Sequence, residues 1–289
     1  MSLQIKLRGI YLKLYYYFRK KFLFKDGYGL KYFLYENARP NDSFNLGVRT
    51  DDTTVLYVID KILSSSSLTN SKSINCLDVG GYIGIITLMM SKKLQHYKNE
   101  WKIHAFEPFE ESFYRLKENI DLDPCKNNIV LNDLAVSDIS GVSTLRTYQN
   151  SPGQNHLDIK NLDESLANDY KKNIKVITLE DYLDQNKIDH VNICKVDTEG
   201  ADYFVIKGLN EYLEKKAVDY FIFEYQLITH EKIKNILSKI GYKLYYMVRN
   251  ENLLIKSIRK YPKNCKSLLN IIAVSPNKDE EFIKKFNLG

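Results

Sequence analysis

The chain has 289 residues, 44% of them hydrophobic and 27% charged, which is material enough for a full α/β core. Its formal charge of +6 is confined to one end: the first 25 residues hold seven Lys/Arg and no acid, while the other 264 carry 35 basic and 36 acidic residues, a net of −1. Beyond residue 25 there is thus no basic excess to follow a phosphate backbone, so no nucleic-acid partner is expected, and five histidines without metal-ligand spacing argue against a metal site.

In chain order, the N-terminal segment comes first. As a helix it places Leu3, Leu7, Ile10, Leu14 and Phe18 on one face, with Lys6, Lys13 and Lys20 on one flank and Arg8 and Arg19 on the other. Such a basic amphipathic helix suits an anionic membrane surface, or packing on a domain or partner with its charges solvated. Charges interrupt every apolar run well short of the roughly 18 residues a span requires, and the segment lacks the apolar centre and small-residue cleavage site of a signal peptide. An irregular linker, Gly27 to Gly47, contains a short extended piece at Lys31 to Tyr35 and leads to a helix from about Asp52 to Leu63. The division is therefore 1–50, basic aromatic helix and linker, and 51–289, the main domain.

After the polar loop 64–73 comes CLDVGGYIGIITL, residues 76–88. Ser73 to Val79 reads as a buried strand, Gly80, Gly81 and Gly84 as a turn, and Ile85, Leu88 and Met89 as a helix start. Glycines there let a ligand approach the main chain at a helix N-terminus, although a turn of this kind is also often purely structural. The spacing is D-x-G-x-x-x-G from Asp78 through Gly80, Tyr82 and Gly84, not the G-x-G-x-x-G of a dinucleotide site, and the carboxylate suits a cationic or hydroxyl-bearing ligand better than a pyrophosphate. Trp101 to Phe106 forms the next strand and ends in Glu107-Pro108, 23 residues after Gly84. An acid at that strand end is placed to accept from ribose hydroxyls, or else to favour the following helix through its dipole. The third run, Asn128 to Leu131, ends in Asn132, Asp133, Leu134 and Ala135, which can line a base.

Strand and helix alternate onward through Val196 and Phe223, implying a mostly parallel sheet with helices on both faces. An insertion at Gly141 to Lys175 reads as a hairpin with the polar loop Gln149 to His156. Tyr242 to Val248 and Leu268 to Val274 supply two last strands, and Arg249 to Ser267 between them reads as a loop over the site. Cys76, Cys125, Cys194 and Cys265 are far apart and form no C-x-x-C pair, which points to a reducing compartment.

Four ordered pieces now resemble the FkbM-type S-adenosylmethionine-dependent methyltransferases over roughly Asp51 to Gln226: LDVGGYIG, FEP, Leu134-Ala135-Val136-Ser137-Asp138, and TLEDYL followed by Lys195-Val196-Asp197-Thr198-Glu199-Gly200-Ala201-Asp202. The resemblance implies a Rossmann-like class I methyltransferase fold, an α/β domain with a seven-stranded sheet whose last strand is antiparallel. It also implies S-adenosylmethionine as cofactor, held by Asp78, Gly80, Gly81, Tyr82, Gly84, Glu107, Pro108, Asp133 and Ala135. Tyr82 departs from the family pattern, which has Asn there, and puts one side-chain contact to the cofactor in doubt. The implied reaction is O-methylation, with sugars of surface glycans or natural products as acceptor classes. Lipid-linked or envelope polysaccharide precursors become the better match if the N-terminal helix lies on a membrane, at the inner face of which a cytoplasmic enzyme would sit.

Methyl transfer from a sulfonium requires in-line placement of the acceptor and, for an alcohol, a base. Asp197 and Glu199 after the fourth strand are the first candidates, with capping of the next helix as the plainer role for Glu199. Glu224, at the end of FIFE, can orient the acceptor or simply be a buried strand-end carboxylate, and His156 has a suitable pKa in a polar loop. A scaffold that keeps the fold without catalysis is the alternative reading; Tyr82 encourages it, and Asp78, Gly80, Gly84 and Glu107 speak against it.

Overall fold

The computed structural model describes residues 21–25, 29–35, 50–65, 68, 71–148, 156–157, 169–226, 228–248, 253–255 and 268–288. The expected helix over residues 3–20, the loop 149–155 and most of 249–267 lie outside the described residues.

The main sheet has eight strands. In chain order after an N-terminal hairpin, β1 (Lys21–Lys25) and β2 (Lys31–Tyr35), they are β3 (Ser73–Val79), β4 (Glu100–Phe106), β5 (Ile129–Asn132), β10 (Val191–Val196), β11 (Val218–Glu224), β12 (Lys243–Val248), β13 (Leu253–Ile255) and β14 (Leu268–Val274). Their spatial order is β13-β12-β14-β11-β10-β3-β4-β5. The pairs β3–β4, β4–β5, β3–β10 and β10–β11 are parallel, and β14 runs antiparallel between β11 and β12. Seven of these strands are the expected mostly parallel sheet with its antiparallel last strand. The eighth, β13, falls in the segment read as a loop: Leu253, Leu254 and Ile255 pair with β12 as a three-residue edge strand.

Strand periodicity explains the layers. Successive side chains point to opposite faces. Ile74 and Cys76 of β3 and Ile193 of β10 therefore join one core cluster, whereas Leu77, Val79, Cys194 and Val196 join another. The first face is covered by α1 (Thr50–Leu63), α2 (Ile85–Leu94), α3 (Glu110–Ile120) and α8 (Asp279–Lys285). The second is covered by α4 (Leu179–Asn186), α5 (Asp202–Lys207), α6 (Glu211–Glu214) and α7 (His230–Lys239). β10 is buried along its whole length, as a central parallel strand must be. Cys76 on β3 and Cys194 on β10 are free buried thiols, the first pushed up to about 12 by desolvation, and act as small hydrophobes. The helix read from TLEDYL is α4, begun by Thr178, whose hydroxyl accepts from the Asp181 N–H at 3.0 Å.

Two departures from the sequence reading have simple causes. Residues 21–25, read only as part of the basic N-terminal segment, form a strand, because the apolar and aromatic run between Lys21 and Lys25 pairs in register with KYFLY, Leu23 opposite Phe33. The insertion is a four-stranded sheet, not a single hairpin: β6 (Ala135–Val136), β9 (Asp169–Ile177), β7 (Gly141–Tyr148) and β8 (His156–Leu157) in that order. Its Ile174 and Val176 pack on Ala135, Ala201 and Phe109, which fixes it beside the strand ends, and Lys172 of β9 pairs with Glu110 of α3 at 2.7 Å.

Candidate functional site

From β3 the chain crosses to β4 and β5 on one side and later to β10 and β11 on the other, so the strand order switches between β3 and β10. Open α/β sheets bind ligands in the crevice beyond the carboxyl ends at such a switch. Asp78 is the last residue but one of β3, Glu107 follows β4, Asn132 ends β5, Asp197 follows β10 and Glu224 ends β11.

The glycine turn is tied down by its own main chain. The N–H groups of Gly80 and Gly81 donate to the Phe106 carbonyl at 3.0 and 2.9 Å, that of Gly84 to Gly81 at 2.8 Å, and that of Tyr82 to Oε2 of Glu107 at 2.9 Å. A turn whose amides are used internally is not a phosphate cradle; the group it leaves beside a ligand is the carboxylate of Glu107, which suits hydroxyl donors. Two glycines are obligatory for packing as well. Gly80 has φ +81°, and a Cβ there would lie 1.9 Å from the Asp197 carbonyl oxygen; at Gly84, φ +93°, it would meet Cδ1 of Leu116 at 2.7 Å. Gly81 has only ordinary contacts.

Asp78 does not open into the crevice. Its carboxylate is fully buried, accepts from Oγ1 of Thr87 at 2.6 Å and faces Nζ of Lys195 at 3.5 Å. The same ammonium donates to the Gly80 carbonyl at 3.3 Å and pairs with Asp197 at 3.3 Å. Lys195 thereby joins the turn after β3 to the end of β10. Sequence reasoning quoted it within a motif without giving it a role, although a lysine closing the apolar strand VNICKV was a visible signal, since a buried charge needs partners.

Glu107 is 8% exposed and bridges two elements, with Oε2 on the Tyr82 N–H and Oε1 on the Phe109 N–H, both at 2.9 Å. Burial pushes its carboxyl up to about 7, partly opposed by those two hydrogen bonds and by Lys195. A carboxylate offers about four acceptor positions. With two in use, Glu107 retains capacity for a pair of hydroxyl donors, and a ribose diol fits that requirement.

Tyr82 has φ +48°, the left-handed region. Asn enters that region far more easily than an aromatic residue, which gives a backbone reason for the Asn usual at this place. Here the conformation is held by the bond to Glu107 and by Arg115, whose guanidinium lies 5.6 Å from the Tyr82 ring centroid and reaches its hydroxyl at 3.5 Å.

On the other side, Asp197 is partly exposed, Glu199 is exposed at φ +52°, and Glu224 is half-buried. The N-cap position of α5 is Ala201, two residues after Glu199. The organising residue is Asp202, which sequence reasoning did not single out. Fully buried, its carboxylate accepts from the N–H and hydroxyl of Thr198 at 2.9 and 2.6 Å and from the N–H of Glu224 at 3.3 Å. Burial, followed by the charge of Asp197, pushes it up to about 7. Gln226 donates to Glu224 at 3.0 Å.

The remaining candidates are placed as follows. Pro108 follows Glu107 at the β4 end, Asp133 is exposed beside Asn132, and Ala135 is buried against Ala201. His156 lies on β8, the outermost strand of the accessory sheet, opposite Arg146.

Compared with known proteins, residues 78–244, more than half of the chain, match the methyltransferase FkbM domain. The chain belongs to the FkbM methyltransferase family. Within the matched region, Glu107 presents its carboxylate beside the glycine turn. The chain is 26% identical over 149 residues to methyltransferase 1 of Beauveria bassiana and 27% identical over 160 residues to methyltransferase sdnD of Sordaria araneosa. Each alignment covers 47% of this chain and 58% or 60% of the relative, so the chain spans little more than half the length of these relatives. Among solved structures it is similar to an FkbM methyltransferase of Methylobacillus flagellatus KT, with 14% identity, TM-score 0.45, and 74% of this chain and 47% of that one covered. It is also similar to a SAM-dependent methyltransferase of Agrobacterium tumefaciens, with 9% identity, TM-score 0.46, and coverage of 89% and 70%. Among the described residues, no helix is long and apolar enough to cross a membrane.

Proposed function

We propose that the protein transfers a methyl group from S-adenosylmethionine to a hydroxyl of a sugar or glycan, with natural-product alcohols as the nearest alternative acceptors. The observation that carries this reading is the pair of partly exposed carboxylates, Asp197 and Glu224, whose strand ends are joined through Asp202: Thr198, next to Asp197, and the N–H of Glu224 both donate to it, and Lys195 pairs Asp197 to the glycine turn. When bound, the cofactor supplies an electrophilic methyl group on a positively charged sulfonium.

The chain's residues then have separable tasks. Glu107 accepts from the ribose hydroxyls, Gly80, Gly81, Tyr82 and Gly84 shape the floor, and Pro108, Asp133 and Ala135 border the base. Asp78 acts indirectly, holding Lys195 against the Gly80 carbonyl. Asp197 or Glu224 would take the proton of the acceptor hydroxyl as its oxygen gains the methyl group and the methyl–sulfur bond breaks, the thioether leaving with the bonding pair; holding the base in place avoids the entropy that a free base would lose. Glu199, exposed on the same turn, contacts the acceptor. His156 contributes only if the acceptor extends to the accessory sheet.

The test is a turnover screen with glycan acceptors, read by linkage analysis of the methylated product. Asp197→Asn and Glu224→Gln should lower kcat while leaving cofactor affinity intact; methylation on nitrogen or carbon would refute the hydroxyl assignment. The basic N-terminal segment supports a peripheral site at an anionic membrane and hence a lipid-linked acceptor. Liposome flotation of the full chain against a form lacking residues 1–20, which keeps β1, tests this: equal partitioning rules it out.

A further inference from the structure

The hairpin β1–β2 lies outside the matched family domain, which begins at residue 78. It is nevertheless joined to the cofactor turn by one side chain. Asn119 on α3 is 1% exposed and uses both ends of its amide: Oδ1 accepts from the Phe33 N–H of β2 at 2.8 Å, and Nδ2 donates to the Ile83 carbonyl, between Tyr82 and Gly84, at 2.7 Å. The neighbouring positions of α3 press on the same turn, since Leu116 fills the space beside Gly81 and Gly84, and Ile120 also borders Gly84. Leu30 and Tyr32 of the hairpin are buried in the same core cluster as Ile83, Leu116 and Ile120.

We propose that Asn119 is a positioning residue through which the N-terminal hairpin holds the cofactor turn in its binding conformation. A planar amide with both ends engaged cannot rotate to follow one partner without losing the other, so the position of β2 fixes the position of the Ile83 carbonyl. The coupling is reciprocal: what the hairpin does for cofactor affinity, the cofactor does for hairpin order. Any partner that seizes the segment before β1 thereby gains a handle on cofactor binding. The inference rests on the turn holding S-adenosylmethionine.

Titration calorimetry with S-adenosylmethionine tests it on the full chain. Phe33→Pro removes the N–H that reaches Asn119 together with the phenyl ring, the loss of the ring alone being measured by Phe33→Ala, and Asn119→Leu removes both bonds. Each should weaken cofactor binding about tenfold, as loss of a buried hydrogen bond does, with the acceptor KM unchanged. Phe33→Ala keeps the N–H and should stay within about twofold. On the unaltered chain, adding S-adenosylmethionine should slow hydrogen exchange of the β2 amides, a measurement that does not depend on the variants folding. Wild-type affinity in Phe33→Pro, or β2 exchange indifferent to the cofactor, overturns the proposal. Absence of any heat from the wild type would instead remove the cofactor reading beneath it.

Discussion

Replacing Lys195 by Met isolates the charge that joins β3 to β10. In the native chain its ammonium lies 3.5 Å from the buried Asp78 carboxylate, 3.3 Å from Asp197 and 3.3 Å from the Gly80 carbonyl. Met fills a similar volume but leaves Asp78 with the Thr87 hydroxyl alone. Removing one partner of a buried ion pair costs about 3–5 kcal/mol, most of it the penalty of an uncompensated buried charge. Asp78→Asn removes that charge, so the double variant should be no less stable than Lys195→Met, with a coupling of about 2 kcal/mol in a double-mutant cycle. Urea unfolding of the four proteins supplies the cycle. Cofactor affinity is a second readout: it should fall in Lys195→Met and stay low in the double variant, because the Gly80 carbonyl has lost its donor in both. Costs that add within about 0.5 kcal/mol would show that the two charges do not interact, and the reasoning about the turn would fail.

Three further outcomes follow from the same geometry. Gly80→Ala should fail to give a folded protein with wild-type cofactor binding, since its Cβ would meet the Asp197 carbonyl at 1.9 Å with φ at +81°, and circular dichroism with calorimetry checks this. Tyr82→Ala keeps the left-handed strain and loses the contact with Arg115, destabilising by about 1 kcal/mol, whereas Tyr82→Asn should be near neutral in thermal unfolding. Glu107 and Asp202 are both raised to about 7 by burial, so the folded chain binds more protons than the unfolded one between about pH 4 and pH 7. Stability should therefore fall as pH rises through that window, by about 3 kcal/mol for Glu107 and about 4 kcal/mol for Asp202 at most, while cofactor affinity rises through pH 7 as Glu107 ionises. Glu107→Gln should flatten the affinity profile and leave in the stability profile only the part due to Asp202.

The fold was legible because buried parallel strands read as apolar runs that end at glycine or a carboxylate. Asp78, Glu107, Asp197 and Glu224 fall at the strand ends where the pattern put them. Less legible was which carboxylates face a ligand: Asp78 looks equivalent to Glu107 in sequence, yet its partner Lys195 lies 117 positions away and closes it off. Asp202 and Asn119 were missed for the same reason, since a polar residue on a buried helix face declares its role only through partners brought near by the fold. The eighth strand and β1 escaped because short edge strands carry too few alternations to separate from loop or helix.

The most direct test of the central claim is titration of the purified chain with S-adenosylmethionine and S-adenosylhomocysteine, repeated on Glu107→Ala. The account predicts micromolar binding to the wild type that the substitution abolishes. Binding that survives in Glu107→Ala, or no binding to the wild type, would contradict it.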